Sequence, residues 1–368
     1  MLTAFTNARI FTGSEIINGK ALLIRNKKIE AIVETDMISA DTTVFDCMGN
    51  YLSAGLIDLQ IAGAGGFLYS ASPTTEALQS MSRAITENGT TGFLIAIPTN
   101  TFEVYRKVIK VLKENPDKAI IGLHIEGPYL STLRRGAHIK ELIKAPDIEE
   151  LKELIDIGEG IVKMFTLAPE ECNSEIVDLL NNNNIVVAAG HSNATFREAV
   201  QGFGWGIKTT THLFNAMSQL HHRDPGLPGA AFETENVCAS IIVDGIHVDY
   251  NMVSIAKKIM KERLFLISDA VEENLNESYL HVRQTDRFTL PDGTLSGSAL
   301  TMMKAVKNSV TNVGIPVEEA LRMATVYPAK LMNIPDRGKI ETGNRADIII
   351  FDEDFEIHYV FIEGEQIK

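Results

Sequence analysis

The hydrophobic pattern of the chain alternates between short apolar runs and longer segments in which apolar residues recur with helical spacing. Eight of the runs hold five to seven residues each, and most of them are apolar almost throughout. This pattern is typical of parallel strands that are buried on both faces of a sheet. The eight predicted strands are Leu56–Ile61, Thr91–Ile97, Ile120–Ile125, Val162–Leu167, Ile185–Ala189, Lys208–Leu213, Ala239–Val243 and Leu264–Ser268.

Segments with helical spacing follow most of these strands, and several of them begin near Thr, Ser or Pro, which favour helix starts. The predicted helices are Pro73–Glu87, Thr101–Glu114, Ile148–Ile157, Ser174–Asn181, Thr195–Gln201 and Tyr250–Lys261. Eight βα units indicate an α/β fold with a closed (β/α)8 barrel of the TIM type rather than an open doubly wound sheet. Two further helices, Leu300–Val313 and Pro316–Leu331, are predicted to close the barrel.

The two ends of the chain carry short β segments that are too few at either end to bury a core alone. Because the first and last strands of a closed barrel are neighbours, both chain ends emerge side by side. We therefore expect a small β-sandwich domain built from residues 1–52 and 336–368, attached to a barrel domain of residues 53–335. Its predicted strands are Thr3–Phe11, Lys20–Ile24, Lys28–Val33, Thr42–Asp46, Ala346–Phe351 and Ile357–Ile362.

One polar stretch, Val271–Leu295, shows neither the apolar run of a buried strand nor helical spacing. It contains the turn signal Pro291-Asp292-Gly293. It follows the last predicted barrel strand. We expect it to be an irregular excursion over the mouth of the barrel.

Four candidate metal-binding or catalytic residues lie where predicted strands end. They are Glu126, His191, His212 and Asp269. The carboxyl ends of the strands are where a (β/α)8 barrel keeps its active site. A carboxylate at the end of an apolar strand is costly unless it is paired or bound to a metal. Each residue taken alone has an alternative interpretation, a polar side chain at a strand end that is hydrogen-bonded and has no functional role. Four such residues at equivalent positions favour a shared site.

Glu126, His191 and His212 offer one oxygen and two nitrogen atoms, the ligand set of a catalytic zinc site with a fourth position open. Such an ion lowers the pKa of a bound water molecule from about 15.7 to roughly 7. Asp269, on the eighth strand, could take the proton of that water and return it to a leaving group. We expect one divalent ion, with zinc favoured and iron, cobalt or manganese as alternatives.

Composition narrows the function further. The formal net charge of −14 argues against a nucleic-acid surface and requires local cations around any anionic substrate. No apolar window approaches the roughly 18 residues of a membrane span, and the N-terminus lacks a charged and then apolar signal. Cys47, Cys172 and Cys238 are few, odd in number and far apart, which favours reduced thiols and a cytoplasmic protein.

An ordered set of motifs extends over nearly the whole chain and resembles the N-acetylglucosamine-6-phosphate deacetylases of the amidohydrolase superfamily. Any one of these motifs is weak, and the ordered set is specific. The motifs are Ile57-Asp58-Leu59-Gln60, His124-Ile-Glu-Gly-Pro128, Gly190-His-Ser-Asn-Ala194, Thr211-His-Leu-Phe-Asn-Ala-Met217, Arg223-Asp-Pro-Gly226, Asp244-Gly-Ile-His-Val-Asp249, Ser268-Asp-Ala270, Leu295-Ser-Gly-Ser298 and the stretch from Asn344 to Asp352.

The resemblance implies hydrolysis of the acetamide of N-acetylglucosamine 6-phosphate to glucosamine 6-phosphate and acetate. It implies that Glu126, His191 and His212 hold the metal, that Asp269 is the acid and base, and that His138 touches the sugar and polarises the carbonyl. It also implies a homodimer or higher homo-oligomer, in which the residues that match Arg223 and His247 contact the phosphate across the interface; the sequence leaves open whether these two reach their own site or a neighbour's. The substrate contacts that it implies are Ala137, His138, Asn215, Ala216, Arg223, Asp244, Gly245, Ile246, His247, Leu295, Ser296 and Gly297.

Several residues keep a second interpretation. Arg223 by itself is typical of a solvated surface arginine, although a phosphate entering so acidic a protein needs a fixed cation. His247 alone is more often structural, and His124 favours a hydrogen-bonded core position over metal ligation. His281 and His358 are predicted to lie outside the mouth, without a role.

The first strand departs from relatives that bind two metals through His-x-His. Gln60-Ile61-Ala62 stands there and cannot supply two imidazoles, so a single-metal site is expected. Ala62 also departs from the Gln-x-Asn of one-metal deacetylases. Two other functions remain open: another amidohydrolase, acting on a different N-acetyl hexosamine phosphate or on a cyclic amide, and a catalytically silent barrel that binds a sugar phosphate.

Overall fold

Eight parallel strands form a ring at the centre of the part of the molecule that the computed structural model describes, residues 2–275 and 279–368. Each strand pairs with the next one along the chain, so the order in the sheet follows the order in sequence. The strands, numbered β1–β8, are Leu56–Ile61, Thr90–Pro98, Ile120–Glu126, Val162–Leu167, Val186–Ala189, Thr209–Thr210, Cys238–Ile241 and Leu264–Leu266. All eight predicted strands are present. The sixth is much shorter than predicted, because the chain turns over the rim at His212, whose φ is +35°.

The ring closes along a seam between β1 and β8, where hydrogen bonds to the side chain of Asp58 replace some of the backbone hydrogen bonds. The N–H of Asp269 donates to the carbonyl of Gln60 over 2.9 Å, and Ile61 bridges Ala270 in parallel. Below these contacts the carboxylate of Asp58 accepts hydrogen bonds from both the N–H and the hydroxyl of Ser268. Asp58 therefore fastens the two strands that complete the barrel.

Ten α-helices within the described residues surround the ring and bury their apolar faces on it. Threonine side chains cap several of them, as at Thr101, which accepts a hydrogen bond from the N–H of Val104. In chain order, α1–α10 are Thr75–Glu87, Phe102–Glu114, Ile148–Ile157, Ser174–Asn182, Phe196–Gly204, Gly226–Glu233, Tyr250–Met260, Met302–Thr311, Val317–Ala324 and Val326–Leu331.

Two helix predictions were wrong. The helix α6 was missed, because its glycine and proline residues hide the helical pattern. The single helix predicted over Pro316–Leu331 is two helices, α9 and α10, separated at Thr325, whose φ of −134° and ψ of −71° leave the helical region.

Both ends of the chain contribute to a small β domain of two sheets. One sheet has the order Lys28–Glu34, Lys20–Arg25, Leu2–Thr6 and Thr43–Asp46. The other has the order Glu365–Gln366, Ile357–Ile362, Ile348–Phe351, Tyr51–Ala54, Arg9–Phe11 and Ile16–Ile17. Phe5 of the first sheet and Phe361 of the second meet edge to face, with ring centroids 4.9 Å apart, inside a shared apolar core. The predicted sandwich of the two chain ends is therefore present.

Three details of this domain differ from the sequence prediction. The strand predicted over Thr3–Phe11 is broken at Asn7, whose φ is +51°, and its two halves join different sheets. The strands Ile16–Ile17, Tyr51–Ala54 and Glu365–Gln366 were missed. The strand Tyr51–Ala54 crosses the predicted boundary between residues 52 and 53. The domain boundaries themselves remain a prediction.

The excursion after β8 is more regular than predicted. It forms an antiparallel sheet of Val282–Arg283, Arg287–Thr289 and Leu295–Ser298, which continues from the barrel through a bridge between Ala270 and Ser298. Residues 276–278 of the predicted excursion lie outside the described residues. Apolar contacts among Leu68, Val271, Tyr279 and Phe288 hold this segment beside the barrel mouth.

Short elements complete the chain: the hairpin Gly63–Ala64 and Phe67–Leu68, and the 3₁₀ helices Thr35–Met37, Thr132–Arg134, Lys140–Leu142, Pro169–Glu171 and Lys261–Arg263. Among the described residues, no helix combines the length and the apolar character that crossing a bilayer requires.

Candidate functional site

Four side chains with candidate chemistry meet at one rim of the barrel. Glu126 is the last residue of β3, and His191, His212 and Asp269 follow the ends of β5, β6 and β8 within three residues. The last three have left-handed backbone, with φ of +47°, +35° and +51°. Non-glycine residues rarely adopt this conformation, and it is concentrated at functional sites. It turns the chain over the rim just where each strand ends.

The three predicted metal ligands converge on one point. Glu126 Oε1 lies 3.1 Å from His191 Nε2 and 3.0 Å from His212 Nε2, and the two Nε2 atoms are 3.0 Å apart. All three side chains are buried. Burial alone would raise the pKa of the Glu126 carboxyl, but hydrogen bonding to the two imidazoles holds it well below its ordinary value. Burial lowers the pKa of His212, and the Glu126 carboxylate raises it by more, so the net direction is upward.

This donor set fits a divalent cation. Two facing imidazole nitrogens 3.0 Å apart repel each other if both or neither carries a proton. The orientation of His191 is fixed, because its Nδ1–H donates to the carbonyl of Arg134 over 3.1 Å, which turns a lone pair on Nε2 toward the centre. His212 Nδ1 is buried without a hydrogen-bond partner among the described residues. A cation shared by one carboxylate oxygen and two imidazole nitrogens removes the repulsion.

Gln60 joins the metal ligands to Asp269. Its side-chain amide donates one hydrogen bond to Glu126 Oε1 over 3.1 Å and another to Asp269 Oδ1 over 2.9 Å. Burial raises the pKa of Asp269 to about 6. A carboxyl that titrates near neutrality is suited to taking a proton and giving it back.

His138 lies against the metal ligands from a different loop. Its Nε2 is 3.8 Å from Glu126 Oε2, and its ring meets that of His191 edge to face with centroids 4.2 Å apart. Burial and the neighbouring His191 hold the pKa of His138 well below its ordinary value, so the imidazole is neutral.

His124 is a core histidine, as the sequence favoured. Its Nδ1 is 3.0 Å from the carbonyl of Leu59 and its Nε2 is 2.7 Å from the hydroxyl of Thr166. Both ring nitrogens are therefore occupied by protein groups, and neither is free to bind a metal.

A cavity of about 320 Å³ opens above this cluster. Its volume lies within the range of about 300–1,000 Å³ that small-molecule sites occupy. Besides the four residues at the strand ends, the predicted substrate residues that line it are Ala137, His138, Asn215, Ala216, His247, Leu295, Ser296 and Gly297. Gly297 is required as glycine, since its φ is +121° and a Cβ atom there would lie 2.5 Å from Val271.

Four predicted substrate residues do not line the cavity of this chain. Arg223 is exposed, in the loop after β6. Asp244, Gly245 and Ile246 lie beside the cavity, and Asp244 holds His247, whose Nδ1 is 2.6 Å from the carboxylate. These four assignments remain predictions.

Some residues of the site were not predicted from the sequence. His281 was predicted to lie outside the mouth, which is wrong: it is buried, lines the cavity and contacts Ser296 through Nδ1 at 2.9 Å. Burial lowers its pKa to about 4. Tyr279 and Thr99 were also missed, because nothing in their local pattern sets them apart. Gln60 had a detectable signal, since it is a polar residue within an otherwise apolar strand.

Comparison with known proteins gives this geometry a family. The model of the amidohydrolase family matches residues 51–367, and that of the NagA composite domain matches residues 3–52. The solved structure of N-acetylglucosamine-6-phosphate deacetylase from Pasteurella multocida is 34% identical and covers 100% of this chain and 99% of its own, with a TM-score of 0.96. The predicted barrel with its small β domain is confirmed.

Two curated proteins are similarly related. N-acetylglucosamine-6-phosphate deacetylase from Haemophilus influenzae is 34% identical over 379 residues, which cover 99% of this chain and 99% of that protein. N-acetylgalactosamine-6-phosphate deacetylase from Shewanella sp. strain ANA-3 is 34% identical over 340 residues, which cover 89% of this chain and 86% of that protein. With a family model that covers most of its length and relatives that match it from end to end, the chain belongs to the amidohydrolase family.

Proposed function

We propose that the protein is a metal-dependent deacetylase that hydrolyses the acetamide of N-acetyl-D-glucosamine 6-phosphate to D-glucosamine 6-phosphate and acetate. The observation that carries this proposal is the buried cluster of Glu126, His191 and His212, which Gln60 joins to Asp269. The relatives that match the chain over 99% of its length bear this activity in their names, which supports the choice of substrate.

The metal proposed is one zinc ion held by Glu126, His191 and His212, with iron, cobalt and manganese as alternatives. Zinc is favoured because one oxygen and two nitrogen ligands with an open fourth position are typical of catalytic zinc. When bound, such an ion lowers the pKa of a water molecule and polarises a carbonyl oxygen.

Asp269 is the proposed proton carrier. Gln60 fixes Oδ1, so the carboxyl keeps one orientation beside the metal ligands. As the oxygen of water bonds to the acetamide carbon, the Asp269 carboxylate takes a proton from that water. As the bond between carbon and nitrogen breaks, the same group returns the proton to the sugar nitrogen, which leaves as an amine. His138 donates a hydrogen bond to the carbonyl oxygen.

The phosphate end of the substrate needs fixed positive charge, because the chain as a whole carries a formal net charge of −14. His247 lines the cavity, and its contact through Nδ1 with Asp244 leaves Nε2 available to an outside group. Arg223 is exposed on its own chain. We propose that the protein is a homodimer in which Arg223 reaches the phosphate in the neighbouring subunit's site.

The remaining contacts to the sugar phosphate are proposed for the residues that line or border the cavity. Backbone N–H groups, the Asn215 amide and the Ser296 hydroxyl suit this role because they hold hydroxyl and phosphate oxygens without adding charge, and Asp244 contributes by holding His247. The proposed residues are Ala137, Asn215, Ala216, Asp244, Gly245, Ile246, Leu295, Ser296 and Gly297. A cytoplasmic location is also proposed, and the three free cysteines support it.

A second candidate substrate is N-acetylgalactosamine 6-phosphate, the substrate class in the name of a relative that is also 34% identical. The two sugars differ at one hydroxyl group. The match to the Haemophilus influenzae N-acetylglucosamine-6-phosphate deacetylase covers 99% of this chain, and the match to the N-acetylgalactosamine-6-phosphate deacetylase covers 89%. This difference favours N-acetylglucosamine 6-phosphate.

The test is acetate release by the zinc-loaded protein from N-acetylglucosamine 6-phosphate, N-acetylgalactosamine 6-phosphate and unphosphorylated N-acetylglucosamine. We expect the highest kcat/KM for the first. A higher value for the galactosamine epimer would replace the proposed substrate with the second candidate. Equal rates with and without the phosphate would favour a different amidohydrolase. Protein that binds no metal and releases no acetate would favour a silent sugar-phosphate-binding barrel.

A further inference from the structure

Thr99 commits three polar groups to the surroundings of the site, and two of them serve one atom of His138. It follows β2 directly and is completely buried. Its backbone N–H donates to His138 Nδ1 over 3.2 Å, and its hydroxyl oxygen is 2.8 Å from the same nitrogen. Its carbonyl oxygen accepts a hydrogen bond from the hydroxyl of Tyr279, which belongs to the excursion over the barrel mouth.

The direction of these contacts decides where the imidazole of His138 carries its proton. A backbone N–H can only donate, so Nδ1 must accept. A neutral imidazole has one N–H group, and with Nδ1 as acceptor that group is Nε2–H. Nε2 is the nitrogen that faces the metal ligands, 3.8 Å from Glu126 Oε2. The hydroxyl of Thr99 has one proton to donate and two acceptors in reach, Nδ1 at 2.8 Å and the carbonyl oxygen of Glu126 at 3.3 Å. With Nδ1 already assigned as an acceptor by the backbone N–H, the hydroxyl donates along the shorter contact, to Nδ1.

We propose that Thr99 is a positioning residue that fixes His138 as the Nε2–H tautomer, so that His138 meets the substrate carbonyl only as a hydrogen-bond donor. This inference rests on the proposed function, in which His138 polarises the acetamide carbonyl. It excludes His138 as the base of the reaction and leaves that role to Asp269.

The surroundings of Thr99 are built around its hydroxyl group. Gly127 follows the metal ligand Glu126, has a φ of +93°, and a Cβ atom there would lie 2.1 Å from Thr99 Oγ1. No other residue type fits at Gly127 while the hydroxyl stays in place. Thr99 Oγ1 also lies 3.3 Å from the carbonyl oxygen of Glu126, so the hydroxyl touches the metal-ligand strand as well as His138.

Tyr279 completes the arrangement from the other side. Its hydroxyl holds the carbonyl of Thr99, and its ring meets the ring of His138 edge to face with centroids 6.4 Å apart. The excursion therefore supports the same imidazole both through Thr99 and by direct contact.

The direct test is nuclear magnetic resonance of the zinc-loaded protein labelled with ¹⁵N in its histidine rings. Long-range proton–nitrogen correlations distinguish a protonated ring nitrogen from an acceptor nitrogen, and the His138 signals are assigned by their absence from His138→Gln. We expect His138 to show Nε2 protonated and Nδ1 as an acceptor. A proton on Nδ1, or on both nitrogens at neutral pH, would overturn the proposal.

The second test compares Thr99→Val with Thr99→Ser, which keeps the hydroxyl. Valine places a methyl group where the oxygen now lies 2.8 Å from Nδ1, so the ring must move while the backbone donor stays. We expect kcat to fall about 10–100-fold in Thr99→Val, with KM and zinc content within threefold, and about threefold or less in Thr99→Ser. Equal kcat values in wild type and Thr99→Val would remove the positioning role.

These measurements separate this inference from the proposed function. The tautomer is observed without substrate, so a protein that releases no acetate but carries Nε2–H on His138 loses only the proposed activity. A protein that deacetylates the substrate and carries Nδ1–H loses only the inference about Thr99.

Discussion

The site has two halves that the fold holds in different ways. The half that would hold the metal and carry the proton lies at strand ends, where Glu126, His191, His212 and Asp269 are fixed by the parallel ladder and by Gln60. The half that would bind the phosphorylated sugar lies on loops and on the excursion, and one of its predicted members, Arg223, is exposed. The comparison teaches that strand ends hold the proposed metal ligands and proton carrier, while loops hold His138 and most of the proposed substrate contacts.

Removal of the metal should produce the largest effect, and it acts on the strand-end half. We expect a chelator to abolish acetate release and to lower the thermal unfolding midpoint. An ion that binds the folded state at 100 times its Kd adds about 2.7 kcal/mol to stability. Scanning calorimetry and acetate release before and after zinc is restored measure both effects. An unfolding midpoint that does not change with zinc would contradict the proposal that ligands at the ends of three strands bind an ion that stabilises the fold.

Asp269→Asn tests the same half without removing the ion. We expect kcat to fall by about 10²–10⁴-fold, because the side chain can no longer take a proton, while zinc content stays at one ion per chain. Asparagine can still accept the hydrogen bond from Gln60, so the geometry should persist. Wild-type turnover in this variant would remove Asp269 from its assigned role.

Arg223→Ala tests the loop half, where we expect the loss in KM rather than in kcat. A charge-assisted hydrogen bond contributes about 1.5–3 kcal/mol, so KM should rise about 10–100-fold. Arg197→Ala, which removes another exposed arginine, is the matched control and should leave KM unchanged.

Mixing subunits shows whose site Arg223 serves. A heterodimer of Arg223→Ala and Asp269→Asn chains contains one intact site if the arginine acts across the interface, and none if it acts within its own chain. Recovery of activity on mixing and re-assembly is therefore expected. Its absence from confirmed heterodimers would place Arg223 in its own chain's site or remove it from the site.

Asp58→Asn tests the seam that completes the strand-end half, and the effect is on stability. Burial raises the pKa of Asp58 to about 7 from an ordinary value of 3.8. Because the folded state holds the proton more tightly, the contribution of this group is fully present below about pH 4 and is lost as the pH rises through 7. Urea unfolding of metal-free protein at pH 5 and pH 8 should show wild type losing on the order of 2–4 kcal/mol more than Asp58→Asn. Identical pH dependence in both proteins would contradict the shifted pKa.

The barrel and its strand-end residues could be predicted because parallel strands impose a simple rule. Near-continuous apolar runs mark the strands, and a polar residue where such a run ends must lie at the common rim. This rule connects Glu126 with Asp269 across most of the barrel, although the two residues are far apart in sequence. It needs no knowledge of loops.

The remaining residues of the site could not be predicted, because the rule applies only to strand ends. His281 and Tyr279 reach the cavity because the excursion folds into a sheet that packs on Leu68 and Val271, and these contacts leave no local period. The support that Thr99 gives to His138 depends on a residue on another strand end. Long-range contacts of this kind become visible only in three dimensions.

The most direct test of the account is a crystal structure of the zinc-loaded protein with diffraction measured on both sides of the zinc absorption edge. We expect a single anomalous peak, about 2.0–2.2 Å from one carboxylate oxygen of Glu126 and from Nε2 of both His191 and His212. Two peaks, or a peak bound by other residues, would contradict the claim that the strand ends converge on one catalytic cation.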